Sequence, residues 1–115
     1  MQSKVTIGKK GEEEAVRYLK KRGYRIIERN FRCKLGEIDI IAIDKNYLVF
    51  IEVKKRDSSS FGNPLESVDE KKQKQIEKVA LSFLRYKGLS DVDCRFDVVS
   101  ITLDKIELIK DAFQI

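Results

Sequence analysis

The sequence predicts a mixed α/β domain in which two helices pack on one mixed central sheet. Two segments carry apolar residues at the spacing of an amphipathic helix, and five carry the short apolar runs typical of strands. Their order along the chain is α-β-β-β-α-β-β, without repeats or linkers. Because 115 residues suffice for one hydrophobic core, we predict a single domain over residues 1–115.

The first helix is predicted over residues 7–22. Ala15, Val16 and Leu19 recur there at helical spacing, and a glycine follows as a carboxyl-terminal stop. Glu12 stands one helical turn before the first two of these residues, so its carboxylate falls on the same apolar stripe. A carboxylate on that stripe departs from the pattern of an ordinary amphipathic helix.

Three strands are predicted after this helix. Residues 24–31 are rich in aromatic and branched side chains, which favours a strand, and residues 33–36 form a turn. Two apolar runs follow, over residues 37–44 and 47–54. The turn-forming residues between these runs predict that they pair as a hairpin.

The second half of the chain supplies one helix and two strands. Residues 56–64 are polar and contain a glycine, so they predict a loop. Ser67 and Glu70 fit a capping box, which predicts a helix from about Val68 to the stop at Gly88. The last two strands are predicted over residues 92–102 and 106–109.

The composition excludes several classes of site and of protein. Histidine is absent, which excludes Ser-His-Asp triads, HExxH zinc proteases and nucleases with a histidine base. Cys33 and Cys94 are too few for a closed zinc site and form no disulfide framework. Residues 1–22 lack the apolar region of a secretory leader, and no apolar run approaches the roughly 20 residues of a membrane helix. We therefore expect a cytoplasmic protein with no membrane partner.

The charge is concentrated in the first half of the chain. Residues 1–57 carry 15 Lys/Arg against 9 Asp/Glu, and residues 58–115 carry 9 against 10. A basic half of this kind is typical of a protein that binds a polyanion, and nucleic acid fits better than a membrane surface. A solvated surface tuned for solubility or heat tolerance explains the same charge.

Charged side chains also stand where the strand pattern predicts burial. The strand over residues 47–54 is apolar on both faces, so we expect it to be central and covered on both sides. Glu52 and Lys54 nevertheless share one face at its end. Burying such charges costs several kcal/mol unless they are paired or bind a metal.

The neighbouring strand carries a further acidic residue. Alternation assigns Ile38, Ile40 and Ala42 to one face of this strand and Asp39 to the opposite face. Later in the chain, Arg95 and Asp97 share a strand face, where a simple ion pair explains them.

A single metal centre would explain why charged residues interrupt the apolar pattern of the helix and of both strands. Asp39, Glu52 and Glu12 supply the hard oxygen ligands that suit Mg²⁺ or Mn²⁺. Such an ion would polarise a phosphate oxygen and activate water, and Lys54 would stabilise negative charge at the same site. A buried Lys-Glu pair capped by surface carboxylates is the better explanation of Glu52 or Lys54 alone. The ordered set on helix, strand and strand is harder to obtain by chance.

The segments around these charged residues resemble the motifs of known protein families. Gly36-Glu-Ile-Asp39 followed by Phe50-Ile-Glu-Val-Lys54 resembles the split PD-(D/E)xK motif of restriction-endonuclease-like nucleases. The chain is more closely similar to the YraN family of small bacterial proteins. The matching segments span nearly the whole chain: Gly11-Glu12 with Ala15, Gly23-Tyr24, Asn30-Phe-Arg32, Gly36-Glu-Ile-Asp39, Phe50-Ile-Glu-Val-Lys-Lys-Arg56, Phe61-Gly62, Ser67-Val68, Lys72-Gln73, Arg95-Phe-Asp-Val98 and Asp111-Ala-Phe113.

The resemblance implies a restriction-endonuclease-like fold with a nuclease site. It implies that Asp39 and Glu52 bind Mg²⁺ or Mn²⁺ and that Lys54 assists catalysis. The layout also resembles archaeal Holliday-junction resolvases, which add a glutamate from an amino-terminal helix, and Glu12 matches that position. In some relatives a helix residue has an auxiliary role, which Lys72 or Gln73 would fill here; we assign Gln73 to the site.

The function expected from these observations is hydrolysis of nucleic-acid phosphodiester bonds. The resemblance to the resolvases favours DNA over RNA, and branched or damaged DNA over a specific sequence. A homodimer would suit a junction or duplex cutter by symmetry. Two other functions fit the sequence: a non-catalytic nucleic-acid-binding or adaptor protein that keeps the fold, and a structural subunit whose acidic cluster is an ion-pair network.

Overall fold

The computed structural model describes residues 4–56, 68–103 and 105–114, with side chains from residue 11 onward. The predicted α/β class and the order α-β-β-β-α-β-β are confirmed. The elements are α1 (Lys4–Lys21), β1 (Arg25–Cys33), β2 (Gly36–Asp44), β3 (Tyr47–Lys55), α2 (Glu70–Lys87), β4 (Cys94–Ile101) and β5 (Ile106–Ile109). Most of the predicted loop over residues 56–64 lies outside the described residues.

The five strands form one sheet in the order β1-β2-β3-β4-β5. All neighbours are antiparallel except β3 and β4, which run parallel and are connected through α2. The prediction that β3 is central is therefore confirmed. None of the helices in the described ranges is long and apolar enough to cross a membrane.

The sheet is covered on both faces, and each face has its own hydrophobic cluster. One cluster, called here the α1 face, joins α1 to buried residues of the sheet: Ala15, Val16, Leu19, Tyr24, Ile40, Ala42, Val49, Ile51, Val99 and Ile101. The other, the α2 face, joins α2 to the opposite side: Ile38, Ile41, Leu48, Phe50, Val68, Ile76, Val79, Ala80, Phe83 and Val98. Apolar residues on both faces explain why the strand segments read as continuous apolar runs.

The second helix begins two residues later than the capping box predicts. Asp69, with extended backbone, is the N-cap, and its carboxylate accepts the N–H of Lys72 at 2.9 Å. Val68, the predicted first helical residue, is instead buried in the α2 face. Gly88 ends the helix with φ of 65°, as predicted from its position.

A change of face within β2 overturns one predicted face assignment. Ile38 and Ile40 lie on opposite faces of the sheet, although strict alternation places them together. The pairs Arg29↔Ile40 and Phe31↔Ile38 lie on either side of this change of face and keep the same register, since the register of the two strands shifts only between Ile26 and Glu28. Asn30, which lies opposite the change of face, has φ of 55°. This change of face, called here the kink, places Ile38 on the α2 face and falls at Asp39, the residue between Ile38 and Ile40.

Candidate metal centre

Three carboxylates from α1 and β2 converge at the kink. One oxygen each of Glu12, Glu37 and Asp39 lies within 4.8 Å of the others, and all three residues are half-buried. We refer to these three residues as the carboxylate cluster. Glu12 and Asp39 belong to the predicted site, whereas Glu37 was not predicted to belong to it.

Glu12 reaches the cluster because of its place on α1. Ala15 and Val16 are buried against the sheet, so the residue one turn earlier on the same stripe is held over the edge of the α1 face. The side-chain amide of Asn30 donates a hydrogen bond to Glu12 Oε2 at 3.1 Å. Partial burial raises the pKa of Glu12, and this hydrogen bond opposes the rise.

Asp39 is held at the junction between β2 and β3. Regular pairing between these strands extends only to Ile40↔Ile51, and beyond it the backbone N–H of Val53 donates to Asp39 Oδ2 at 2.8 Å. Burial raises the pKa of Asp39 to about 7, and the negative charge of Glu52 contributes further to the rise. A carboxyl group with this pKa gains or loses its proton as the pH passes through neutrality.

Glu52 and Lys54 lie together near the carboxyl end of β3, as predicted. Lys54 Nζ is 4.0 Å from Glu52 Oε1, and the side chains are 28% and 10% exposed. The Glu52 carboxylate lies next to Asp39 in the carboxylate cluster and raises the pKa of Asp39 through its negative charge and a side-chain hydrogen bond. Lys54 thus places an ammonium group beside the Glu52 carboxylate.

Glu37 joins the cluster through the pairing of β1 with β2. It is the strand partner of Arg32 in β1, and Arg32 Nε lies 3.1 Å from Glu37 Oε2. The Arg32 side chain is 74% exposed and the Glu37 side chain 35%. A signal was present in the sequence, because Glu37 stands two residues before Asp39 in Gly-Glu-Ile-Asp. Its contact with Glu12, which comes from another element, depends on the fold.

The side chain of Gln73 lies at the beginning of α2. Its amide donates to the backbone carbonyl of Val68 at 2.9 Å, and the residue is half-buried. Lys72 contributes its backbone N–H to the Asp69 cap of the same helix. An auxiliary role of Gln73 at the site stays a prediction.

A second charged group lies toward the opposite end of the sheet and is fully paired. Arg95 donates to Asp97 at 2.9 Å, so the predicted ion pair is confirmed, and it also contacts Asp44 at 2.8 Å. The Asp97 side chain is 0% exposed, and it also accepts hydrogen bonds from the Tyr24 hydroxyl and the Asp111 N–H. These contacts connect β2, β4 and the residues that follow α1 and β5, so the group is structural.

The donor set of the carboxylate cluster and Glu52 consists of carboxylate oxygens only. Hard oxygen donors suit Mg²⁺ and Mn²⁺, whereas zinc sites in proteins usually use histidine or cysteine. Both cysteines of the chain are half-buried on the α2 face, among the hydrophobic residues there. The residues present therefore fit a magnesium or manganese ion.

Comparison with known proteins identifies the family. The model of a family described as "Uncharacterised protein family UPF0102" matches residues 11–101, which include every acidic residue of the site and Lys54. A UPF0102 protein of Syntrophus aciditrophicus (strain SB) is 47% identical, with 100% of this chain and 94% of the relative covered.

Other relatives give the same result over similar lengths. The UPF0102 protein of Geotalea uraniireducens (strain Rf4) is 51% identical, covering 96% of this chain and 91% of its own. A relative from Caldanaerobacter subterraneus subsp. tengcongensis is 44% identical, covering 96% and 97%. The chain belongs to the UPF0102 family, which is the YraN family that its motifs resemble.

Proposed function

We propose that the chain is a nuclease that requires Mg²⁺ or Mn²⁺ and hydrolyses phosphodiester bonds in DNA. The observation that carries the proposal is the convergence of acidic residues from α1, β2 and β3 beside a lysine of the central strand. Arg32 and Lys54 each lie beside one carboxylate of the site, Glu37 and Glu52. The carboxylates nevertheless also lie close to one another, and burial together with the charge of Glu52 raises the pKa of Asp39. Such an arrangement is costly without a cation and is typical of a functional site.

The acidic side chains have distinct parts in this proposal. Asp39 and Glu52 are the ligands of the ion, and Glu12 is an outer ligand or orients water. Glu37 adds a fourth carboxylate on the solvent-exposed side. When bound, the divalent ion supplies Lewis-acid activation of a phosphate oxygen and of water.

A backbone hydrogen bond orients the Asp39 carboxylate for metal binding. Its hydrogen bond with the Val53 N–H is 2.8 Å long and fixes the carboxylate between β2 and β3, next to Glu52. A carboxylate that the backbone holds in this way would need little rearrangement to bind a cation.

Lys54 stabilises the charge that develops during cleavage. Its Nζ is 4.0 Å from Glu52 Oε1, so the ammonium group would be available to a phosphate bound beside that carboxylate. Negative charge grows on those oxygens as the attacking oxygen approaches, and a preorganised ammonium group stabilises it. Removing one such donor typically lowers kcat by about 100- to 1,000-fold.

Two features support a nucleic acid as the substrate. The excess of positive charge lies in residues 1–57, which contain all acidic residues of the site. Arg32, 74% exposed, lies beside the carboxylate cluster and can contact a phosphate next to the cleaved one. The preference for DNA, and for branched or damaged DNA, follows from the resemblance to the resolvases and is part of the proposal. The cytoplasm as compartment, expected from the composition, and a homodimer, expected from the symmetry of a duplex or junction, are also part of it.

The proposal is tested with labelled DNA as duplex, single strand, flap and four-way junction, together with an RNA duplex. Each substrate is incubated with the protein in Mn²⁺, in Mg²⁺ and in EDTA. We expect cleavage of the branched DNA in both metals and none in EDTA. Salt-sensitive binding without products would instead support a nucleic-acid-binding protein that keeps the fold.

A further inference from the structure

Asn30 has a backbone conformation that is unusual for its place in the fold. Among the described residues, four other than glycine have positive φ: Asn30, Lys45, Asp91 and Asp111. The last three lie in turns or bends, whereas Asn30 lies inside strand β1. Its φ of 55° belongs to the left-handed region, which asparagine tolerates better than most residues.

This conformation occurs opposite Asp39. Asn30 stands between the pairs Arg29↔Ile40 and Phe31↔Ile38, so it faces the residue between Ile38 and Ile40. At the kink the side chains of β2 change face between Ile38 and Ile40, and Asp39, which lies there, accepts the Val53 N–H. Backbone strain of this kind concentrates at functional sites, where the surroundings maintain it.

The side chain of Asn30 contacts the same site. Its Nδ2 donates to Glu12 Oε2 at 3.1 Å, and this bond joins β1 to α1 across 18 residues of sequence. An amide that donates to one carboxylate oxygen restricts the rotation of that carboxylate. One residue thus contacts Glu12 through its side chain and shapes the strand beside Asp39 through its backbone.

We propose that Asn30 is a positioning residue of the metal centre, which holds the Glu12 carboxylate toward the cluster and maintains the kink beside Asp39. The inference rests on the proposed function. It assigns Asn30 no contact with substrate; the residue acts through the two carboxylates. Residues that orient metal ligands in this way typically change metal affinity by about 10- to 100-fold when they are replaced.

The test separates the amide from the backbone and uses Mn²⁺ as the probe. Asn30→Gly removes the amide but tolerates positive φ, and Asn30→Ala removes the amide and disfavours that φ. The Mn²⁺ dissociation constant is measured by electron paramagnetic resonance of the free ion, for each variant and for Glu12→Gln alone and combined with Asn30→Gly. Lys45→Gly, the same change at a left-handed residue in the β2–β3 turn, is the matched control.

We expect Asn30→Gly to weaken Mn²⁺ binding about tenfold or more while the melting temperature without metal stays near that of the wild type. In the Glu12→Gln background the same change should have no further effect, because the amide acts through Glu12. Asn30→Ala should also lower the melting temperature. Lys45→Gly should leave Mn²⁺ binding unchanged.

The outcomes distinguish this inference from the proposed function. If the wild type binds no Mn²⁺, the proposed metal centre is wrong, and Asn30 has no centre to position. If the wild type binds Mn²⁺ and Asn30→Gly binds it equally well, only the role of Asn30 is wrong. An equal loss with and without Glu12 would also overturn it, because Asn30 would then act elsewhere.

Discussion

The Asp39 carboxylate accepts a hydrogen bond from the backbone N–H of Val53 at 2.8 Å, at the point where the regular pairing of β2 with β3 ends. A side chain of β2 thus satisfies a main-chain donor of β3. The contact holds Asp39 next to Glu52, the acidic residue that immediately precedes Val53. Secondary structure and the candidate metal centre therefore depend on the same carboxylate.

Replacing Asp39 separates these two roles. Asp39→Asn keeps an acceptor for Val53 and removes a negative charge beside Glu52, so we expect the metal-free variant to have a larger free energy of unfolding than the wild type at pH 8. Asp39→Ala lacks the acceptor and should be less stable than Asp39→Asn by about 1–3 kcal/mol. Urea unfolding in EDTA measures both differences, and equal stability of the two variants would contradict the structural role of the hydrogen bond.

The raised pKa of Asp39 predicts how stability depends on pH. Its pKa is about 7 in the folded state, against about 3.9 for an unperturbed aspartate. Between these values the folded chain holds a proton that the unfolded chain releases, so the free energy of unfolding should fall as the pH rises from about 4 to 7.

The difference between wild type and Asp39→Asn isolates this contribution from that of other carboxylates. Urea unfolding in EDTA at pH 5, 6, 7 and 8 should show a stability that decreases with pH more in the wild type than in the variant. Parallel pH profiles would show that Asp39 does not titrate in this window. Because Mn²⁺ competes with the proton, its stabilising effect should be larger at pH 8 than at pH 5.

Lys54 should matter for cleavage and not for metal binding. We expect Lys54→Ala to cleave DNA at least about 100-fold more slowly than the wild type, since it lacks the donor for the charged phosphate. Its Mn²⁺ affinity should not decrease, because the lost group is positive. Lys20→Ala, an exposed lysine in the last turn of α1, is the control and should cleave at the wild-type rate. Equal rates for all three proteins would exclude Lys54 from the mechanism.

The Arg95 and Asp97 pair should matter for stability alone. Asp97 is buried and accepts hydrogen bonds from three parts of the chain, so Asp97→Ala leaves a mostly buried guanidinium without its main partner. We expect a loss of about 3–5 kcal/mol in urea unfolding, and Mn²⁺ affinity equal to the wild type where the variant is folded. A loss below about 1 kcal/mol would show that this group adds little to the fold.

Much of the fold follows from local sequence patterns. Helix and strand order, the central position of β3 and the stop at Gly88 depend on apolar spacing and turn chemistry within short windows. The start of α2 was harder to predict from the sequence, because Ser67 and Asp69 are both residue types that suit an N-cap. The burial of Val68, which the sequence alone does not show, decides between them.

The site was only partly predictable, for reasons of three-dimensional geometry. Glu12, Asp39, Glu52 and Lys54 stand out because they break an apolar pattern, and the structure brings these residues to one region. Alternation alone gives no sign of the kink at Asn30, which moves Ile38 to the other face. The inclusion of Glu37 likewise depends on its approach to Glu12 on α1, which the strand pattern does not contain.

The measurement that tests the central claim most directly is a Mn²⁺ titration of the wild type, Asp39→Asn and Lys20→Ala, followed by isothermal calorimetry. If the acidic residues of α1, β2 and β3 form a metal centre, the wild type and Lys20→Ala should bind Mn²⁺ with the same affinity, and Asp39→Asn should bind at least tenfold more weakly. Binding should also raise the melting temperature of the first two proteins. No binding by the wild type, or equal binding by all three, would contradict the metal centre.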